Sequence, residues 1–144
     1  MKEITGDLFT QQADALCITT NGMVKTDGSC VMGRGCALTA KTKWPQIQQV
    51  LGGLLTKHGN HCYILLRVGE TDIVSFPTKN DWKMNSDISL IERSCQELKT
   101  LANIHSWQRI VLPRPGCGNG GLEWRDIRPV LEQYFDDRFS VISY

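Results

Sequence analysis

Apolar residues are arranged along the chain in two alternating patterns, one typical of strands and one typical of helices. Short apolar runs predict strands, and the run at residues 15–19 and the final runs of the chain are typical of strands buried on both faces. These runs cover residues 15–19, 63–68, 73–76, 109–112 and 140–143, and Ile4 marks an edge strand. The turn-forming residues 69–72 join two of the runs and predict a hairpin there.

Apolar residues at helical spacing separate these runs. The first predicted helix covers residues 36–44 and ends before Pro45, because a proline disfavours helical backbone at the residue before it. The second covers residues 46–55. Its predicted apolar face consists of Ile47, Val50, Leu51, Leu54 and Leu55.

Two further helices are predicted in the second half of the chain. The third begins after a cap at Ser86 or Asp87, and its apolar face consists of Ile88, Ile91, Cys95, Leu98 and Ala102. The fourth begins at about Asp126 with Pro129 in its first turn, where a proline is tolerated. Its inward residues are Ile127, Leu131, Tyr134 and Phe135.

Strands separated by helices predict a three-layer α/β/α sandwich. The chain contains no internal repeat, linker or low-complexity segment. We therefore expect one domain over residues 1–144.

Composition excludes several classes of protein. The chain has 16 Lys and Arg against 15 Asp and Glu, a net charge of +1, which argues against general binding of polyanions. No apolar run reaches the ~18 residues of a membrane span, and the N-terminus lacks the apolar region of a secretory signal. The six cysteines form no C-x-x-C pair, so we expect reduced thiols in a cytoplasmic protein.

Two glycine-rich loops each follow a predicted strand. The first comprises Asn21-Gly22 and then residues 32–36, Met-Gly-Arg-Gly-Cys; the second comprises residues 113–121, Pro-Arg-Pro-Gly-Cys-Gly-Asn-Gly-Gly. Glycines let backbone N–H groups approach an anion closely, and the N-terminus of a following helix adds unpaired N–H groups. Two such loops at the carboxyl ends of strands suit a diphosphate ligand. The alternative is that both are only tight turns, and neither is a P-loop or a clean G-x-G-x-x-G fingerprint.

These motifs, taken together and in this order, resemble the macrodomain family, which binds ADP-ribose. The resemblance spans essentially the whole chain and is carried by residues 6–9, 14–16, 19–21, 32–37 and 113–124. It implies a mixed, mostly parallel sheet between helices. Residues 75–82, Ser-Phe-Pro-Thr-Lys-Asn-Asp-Trp, are similar to a branch of ADP-ribosyl glycohydrolases with a lysine after the central strand. That branch includes terminal ADP-ribose glycohydrolases acting on protein glutamate and antitoxin macrodomains acting on thymidine in DNA.

The resemblance implies a role for each part of the site. Asp7 accepts from the adenine amino group and Leu8 donates its backbone N–H to the ring, whereas Asn21 holds the distal ribose. The alternative is that Asp7 and Asn21 only stabilise turns and contact no ligand. The other residues implied to contact ADP-ribose are Thr20, Gly33, Arg34, Gly35, Thr78, Gly116, Cys117, Gly118, Asn119 and Gly120.

Lys79 is the residue that the resemblance implies for catalysis, together with Asn21. A deprotonated lysine amine can attack the anomeric carbon of a ribose, or it can act electrostatically or in proton transfer. The alternative is a solvated loop lysine. Cys117 pairs with no His or Asp in a recognisable motif and is not expected to act as a nucleophile.

The chain departs from the glutamate-directed enzymes at two places. Those enzymes carry an acidic residue where this chain has Gly120, which favours the DNA-directed type. Residues 24–31 form an insertion, predicted to be a hairpin around Asp27-Gly28 that covers the distal ribose, with Lys25 and Asp27 as possible contacts or simply as a solvated tip.

Three other groups of residues are weaker candidates. His58, His61 and Cys62 lack a second ligand pair, so no metal is expected. Trp82, Lys83 and Lys79 form a basic and aromatic cluster that suits single-stranded nucleic acid. Trp107 and Trp124 are predicted to be packing residues.

The function predicted from these residues is hydrolytic removal of ADP-ribose from a macromolecule, with thymidine in DNA favoured over protein glutamate. The alternatives are a non-catalytic ADP-ribose reader and a phosphatase acting on ADP-ribose 1″-phosphate. The expected partners are ADP-ribose and ADP-ribosylated DNA or protein. We expect no association with a membrane and no cofactor, and we expect the chain to be a monomer.

Overall fold

The computed structural model describes all 144 residues, Met1–Tyr144, as a six-stranded sheet with four α-helices. The strands are β1 (Lys2–Thr5), β2 (Ala15–Thr20), β3 (Ile64–Val68), β4 (Thr71–Pro77), β5 (Ile110–Pro113) and β6 (Phe139–Ser143). The helices are α1 (Gly35–Lys43), α2 (Ile47–His58), α3 (Ile88–His105) and α4 (Trp124–Glu132). Two short 3₁₀ turns cover Leu8–Thr10 and Gly118–Gly120.

The sheet has the strand order β1-β6-β5-β2-β4-β3. Every neighbouring pair is parallel except β3 and β4, which form the predicted antiparallel hairpin. β1 is an edge strand of the sheet, as predicted for the segment around Ile4. The mixed, mostly parallel sheet and the three-layer sandwich are therefore confirmed.

Alternation along the buried strands divides the core into two halves. In β2, Ala15 and Cys17 pack with residues of α3 and α4, whereas Leu16 and Ile18 pack with residues of α1 and α2. Successive side chains of a strand point to opposite faces, so a strand that is apolar at every position places helices on both sides.

The predicted helices form, with corrections at their faces and ends. α2 continues three residues beyond the prediction to His58 and ends at Gly59, whose φ of 88° suits a glycine. Val50 and Ile88 are 39% and 41% exposed, so both were wrongly placed on buried faces. Val50 lies beside the buried stripe of α2, and Ile88 is the first residue of α3, ahead of the turns that contact the sheet. None of the helices combines the length and the apolar character that crossing a bilayer would require.

The prediction for Pro129 is wrong. α4 begins at Trp124, two residues before the predicted start, so Pro129 is the sixth residue of the helix and not part of its first turn. A proline inside a helix removes one backbone hydrogen bond. The helix continues through it because Ile127 and Leu131, on either side of the proline, are completely buried against the sheet.

The predicted hairpin in residues 24–31 forms, and it packs against α2; that it covers the distal ribose stays a prediction. Val24 and Cys30 form an antiparallel bridge, and Gly28 at the tip has a φ of 86°. The backbone N–H of Cys30 donates to the carbonyl oxygen of Gln48 in α2 over 2.9 Å. The hairpin is thus attached to the surface of α2.

We predict that this contact makes Gly52 indispensable for stability. A Cβ added at Gly52 would lie 1.9 Å from the carbonyl oxygen of Gly28, whereas one added at the adjacent exposed Gly53 would meet nothing within 4 Å. Gly52→Ala should lower the free energy of unfolding by about 1–3 kcal/mol or more, because the backbone has to move. Gly53→Ala should raise it by about 0.5–1 kcal/mol, because alanine favours the helix. Urea unfolding of both variants measures this, and similar values for the two would contradict the packing of the hairpin on α2.

Candidate active site

A cavity of about 600 Å³ opens at one edge of the sheet. It is lined by residues at the carboxyl end of all five parallel strands: Gly6 after β1, Thr20 in β2, Thr78 after β4, Pro113 in β5 and Ser143 in β6. This is the edge at which open α/β sheets bind ligands.

Most of the predicted site residues line this cavity. They are Leu8, Thr20, Asn21, Gly33, Arg34, Gly35, Thr78, Lys79, Gly116, Cys117, Asn119 and Gly120. Asp7 and Gly118 do not line it. The Asp7 carboxylate accepts from the backbone N–H of Phe9 over 2.9 Å and caps the first 3₁₀ turn, beside the lining residues Gly6 and Leu8. Its contact with adenine stays a prediction.

The first glycine loop delivers a helix N-terminus to the cavity. α1 begins at Gly35, which has a φ of 57°, after Arg34 in extended conformation. The first three helical residues, Gly35, Cys36 and Ala37, all line the cavity. Their N–H groups have no partner within the helix and carry its partial positive charge, so this end of the cavity suits an anion.

The second glycine loop reaches the cavity in a different way from the one predicted. α4 begins only at Trp124, and none of its residues lines the cavity, so it contributes no helix N-terminus. The loop instead contains the 3₁₀ turn Gly118–Gly120 and closes on itself, because the N–H of Leu122 donates to the carbonyl oxygen of Gly116 over 2.9 Å. An anion bound here would be held by loop backbone and by the loop's own side chains, with no contribution from a helix N-terminus.

Ser86 packs against this loop and was missed as a site residue. A Cβ added at Gly120 would lie 2.3 Å from Ser86 Oγ, and the N–H of Ser86 donates to the carbonyl oxygen of Gly120 over 2.8 Å. The cap of α3 is Asp87, whose carboxylate accepts from Ser89 N over 2.9 Å and from Leu90 N over 3.4 Å. Ser86 is therefore not needed as a cap. The sequence carries no local signal for its role, which arises from contact with a distant loop.

Two hydroxyl groups in the cavity wall have no partner in the protein. Ser86 Oγ and Thr20 Oγ1 are buried and accept or donate no hydrogen bond, and both residues line the cavity. Buried polar groups are nearly always paired in folded proteins. Both oxygens lie just beneath the cavity surface, so a ligand can pair with them after a small movement of the wall.

Asn21 is held firmly by its own loop. Its side-chain Nδ2 donates to the carbonyl oxygen of Val31 over 2.9 Å, and its Oδ1 accepts from the N–H of Met23 over 3.0 Å. A carboxamide nitrogen has two N–H groups, so one remains for a ligand. The side chain both closes the insertion and lines the cavity.

The loop that carries Lys79 is anchored by a second residue that sequence reasoning missed. Asn60 Nδ2 donates to the carbonyl oxygen of Lys79 over 3.2 Å and to Asn80 Oδ1 over 3.0 Å. The N–H of Gly22 donates to the carbonyl oxygen of Asn80 over 3.1 Å. The lysine is thus held between the loop after β2 and the segment before β3.

The cavity wall is basic, although the chain is nearly neutral. Its charged lining residues are Arg34, Lys79 and Arg114, and no Asp or Glu lines it. Burial raises the pKa of the Cys36 and Cys117 thiols, which keeps both neutral and makes them poor nucleophiles. Lys79 is the one amine in the wall, and an amine can act as a nucleophile or transfer a proton.

The other candidates lie elsewhere. Lys25 and Asp27 are exposed and do not line the cavity. His61 Nδ1 lies 2.7 Å from Glu97 Oε2, and no group of three His, Cys, Asp or Glu side chains is arranged to hold a metal ion.

Two of the three tryptophans singled out are packing residues, as predicted. Trp107 is buried and its Nε1 donates to Asp72 over 3.1 Å, whereas Trp124 packs against the core and its Nε1 donates to Glu3 over 3.0 Å. Trp82 alone lines the cavity.

The architecture matches that of solved structures. The macrodomain of Thermus aquaticus DarG has a TM-score of 0.83 at 24% identity, with 99% of this chain and 97% of that chain covered. Thermosipho africanus DarTG in complex with ADP-ribose has a TM-score of 0.82 at 23% identity, with 99% of this chain and 42% of that chain covered. This chain has the macrodomain fold.

Sequence comparison finds relatives of the macrodomain at low identity. A DNA ADP-ribosyl glycohydrolase of Mycobacterium tuberculosis is 27% identical over 144 residues, which cover 91% of this chain and 37% of that protein. An ADP-ribose glycohydrolase of Homo sapiens is 24% identical over 144 residues, which cover 92% of this chain and 82% of that protein. No protein-family model matches the chain. The macrodomain thus spans little more than a third of the length of the DNA-directed relatives.

We predict that position 33 requires glycine for ligand binding and not for folding. A Cβ added there would meet nothing within 4 Å, and Gly33 does not have a positive φ, yet it lines the cavity. Gly33→Ala should leave the free energy of unfolding unchanged within about 0.5 kcal/mol. It should weaken binding of ADP-ribose about tenfold, because a methyl group keeps a phosphate from the backbone N–H groups.

Isothermal titration with ADP-ribose measures the affinity, and urea unfolding checks the fold. Gly53→Ala, outside the cavity, is the matched control. Unchanged affinity in Gly33→Ala would show that no ligand approaches this part of the backbone.

Proposed function

We propose that this macrodomain binds ADP-ribose and hydrolyses its bond to a modified macromolecule. The observation that carries the proposal is the cavity itself. It combines a helix N-terminus, a glycine loop and one lysine at the carboxyl ends of five parallel strands. The names of the relatives support the same activity, since both are ADP-ribose-directed glycohydrolases.

The parts of ADP-ribose are assigned to the cavity by their chemistry. The diphosphate suits the N–H groups of Gly33, Gly35 and the second glycine loop, because backbone donors bind anions without adding charge. The distal ribose suits the remaining N–H of Asn21 and the unpaired hydroxyls of Thr20 and Ser86. Adenine is assigned to the end beside Leu8 and Asp7.

Lys79 supplies the chemistry in this proposal. As a nucleophile, its deprotonated amine forms a bond to the anomeric carbon while the bond to the leaving base breaks, and the electron pair of that bond and one proton go to the base. Water then releases ADP-ribose and restores the amine. Alternatively, the lysine protonates the leaving group or stabilises its charge.

The substrate that we favour is ADP-ribosylated thymidine in DNA. A carboxylate at position 120, as in the glutamate-directed enzymes, is missing here, and Ser86 Oγ lies 2.3 Å from where a Cβ of residue 120 would be. Ser86 thus fills the space that an acidic side chain would need. The matched DNA ADP-ribosyl glycohydrolases support the same choice.

A second candidate is a reader that binds ADP-ribose without cleaving its bond. The observation in its favour is that no carboxylate lines the cavity to activate a water molecule. The third alternative, a phosphatase acting on ADP-ribose 1″-phosphate, is distinguished by its product, which is inorganic phosphate. Location in the cytoplasm and the monomeric state stay predictions.

We predict that Lys79→Ala retains binding of ADP-ribose but loses its release. The rate constant should fall at least about 100-fold, as expected for loss of a nucleophile or of a proton donor. Release of ADP-ribose from an ADP-ribosylated oligonucleotide is measured by chromatography, and binding by calorimetry. Lys79→Arg retains the positive charge but cannot act as an amine nucleophile, so it separates electrostatic from covalent action.

Lys57→Ala, at an exposed position of α2 outside the cavity, is the control for loss of a lysine. Full turnover by Lys79→Ala would refute the role of the lysine. Binding without release by the unaltered protein would establish the reader.

We also predict faster release of ADP-ribose from thymidine in single-stranded DNA than from a glutamate side chain in a peptide. The reason is the absence of a carboxylate at position 120 and the filling of that space by Ser86. The two substrates are compared side by side at equal concentration, with kcat/KM as the readout. A higher kcat/KM on the peptide would overturn the assignment to DNA.

A further inference from the structure

Trp82 is an indole at the rim of the cavity that the fold does not use. It is half-buried, no other aromatic ring pairs with it, and its Nε1 donates to no protein group, unlike that of Trp107 or Trp124. Two cations flank its ring: the guanidinium carbon of Arg34 and the Nζ of Lys83 each lie 5.8 Å from the ring centroid. These separations are near the outer limit of a cation–π contact, so the flanking is loose.

The loop presents this ring in a defined position. The N–H of Lys83 donates to Asp81 Oδ1 over 2.9 Å, and the N–H of Met84 donates to the carbonyl oxygen of Asp81 over 3.1 Å. The loop ends at Ser86, which is bonded to Gly120. A ring that is held on an anchored turn loses little conformational freedom when a partner stacks on it.

The ring also lines the same cavity as Lys79. Trp82 belongs to the same loop as Lys79, with two residues between them, and both line the cavity. The step at the anomeric carbon, which rests on the proposed function, leaves the attached macromolecule on the outer side of Lys79. Trp82, three positions after Lys79 in the same loop, is therefore an aromatic side chain within reach of this macromolecule.

We propose that Trp82 is a stacking platform for the bases of a single DNA strand whose modified nucleotide occupies the cavity, with Arg34 and Lys83 beside its phosphates. Every base has a flat face that stacks on an indole, which supplies affinity without sequence preference. A duplex does not fit, because a base has to leave the helical stack before it can enter a cavity.

Charge plays a minor part in this platform. Residues 79–87 contain two lysines, Lys79 and Lys83, and two aspartates, Asp81 and Asp87, so the formal net charge of the loop is zero. The strand is therefore held mainly by stacking. Its affinity should depend only weakly on salt, in contrast to proteins that neutralise many phosphates.

The test compares two ligands in a Lys79→Ala background, which prevents turnover during the measurement. One ligand is free ADP-ribose, and the other is a single-stranded oligonucleotide that carries one ADP-ribosylated thymidine. Adding Trp82→Ala should reduce affinity for the oligonucleotide at least about tenfold more than affinity for ADP-ribose, as expected for the loss of one stacked base. Trp82→Phe should restore much of the difference, and Met84→Ala, at a 66% exposed position of the same loop, is the matched control.

Three results would overturn the platform. They are an equal loss of affinity for both ligands, no loss for either, and a larger loss for an ADP-ribosylated peptide than for the oligonucleotide. Failure of the proposed function appears separately, as failure of the unaltered protein to release ADP-ribose from the same oligonucleotide. The ratio of affinities needs no turnover, so it tests the platform in either case.

Discussion

The meeting of five parallel strand ends at one edge of the sheet is the constraint on which the candidate site depends. Each strand ends with its last residues at the same edge, and the connecting loops must turn there before the next helix begins. The loops after β1, β2, β4 and β5, together with Ser143 and Tyr144 at the end of β6, therefore form the walls of one cavity. β3 runs antiparallel to β4, so its carboxyl end lies at the opposite end of the sheet from the cavity. The turn that follows β3 therefore contributes no wall.

Recognition by backbone explains how a nearly neutral chain can offer an anion site. The net charge of +1 excludes extensive coating of a polyanion, but it does not count the N–H groups at the start of α1 or in the second glycine loop. These groups are partial charges fixed by the fold. The lining residues include Arg34, Lys79 and Arg114 but no Asp or Glu, so no acidic side chain in the wall opposes an anion.

The contacts around Lys79 separate two tasks. Asn60 and Gly22 hold the backbone of the loop, while Ser86 ties the end of the loop to Gly120. The same serine fills the space beside Gly120 that a carboxylate would need. Ser86 thus acts in two ways: its backbone links the lysine loop to the glycine loop, and its side chain occupies the space beside Gly120.

Local patterns in the sequence determined the strands, the helices, the hairpin at residues 24–31 and the two glycine loops, because each depends on neighbouring residues. Burial on both faces, helical spacing and turn residues are properties of short segments, and most of the cavity lining followed from them through the resemblance. Contacts between distant segments were decided only by the tertiary structure. Pro129 is tolerated in mid-helix because Ile127 and Leu131 are buried against the sheet, and the hairpin lies on α2 because Gly52 leaves room for the backbone of Gly28. The roles of Ser86 and Asn60 in the site were likewise decided by the tertiary structure. Each forms a hydrogen bond to a loop that is distant in the sequence, and the residues adjacent to Ser86 or Asn60 carry no pattern that predicts such a bond.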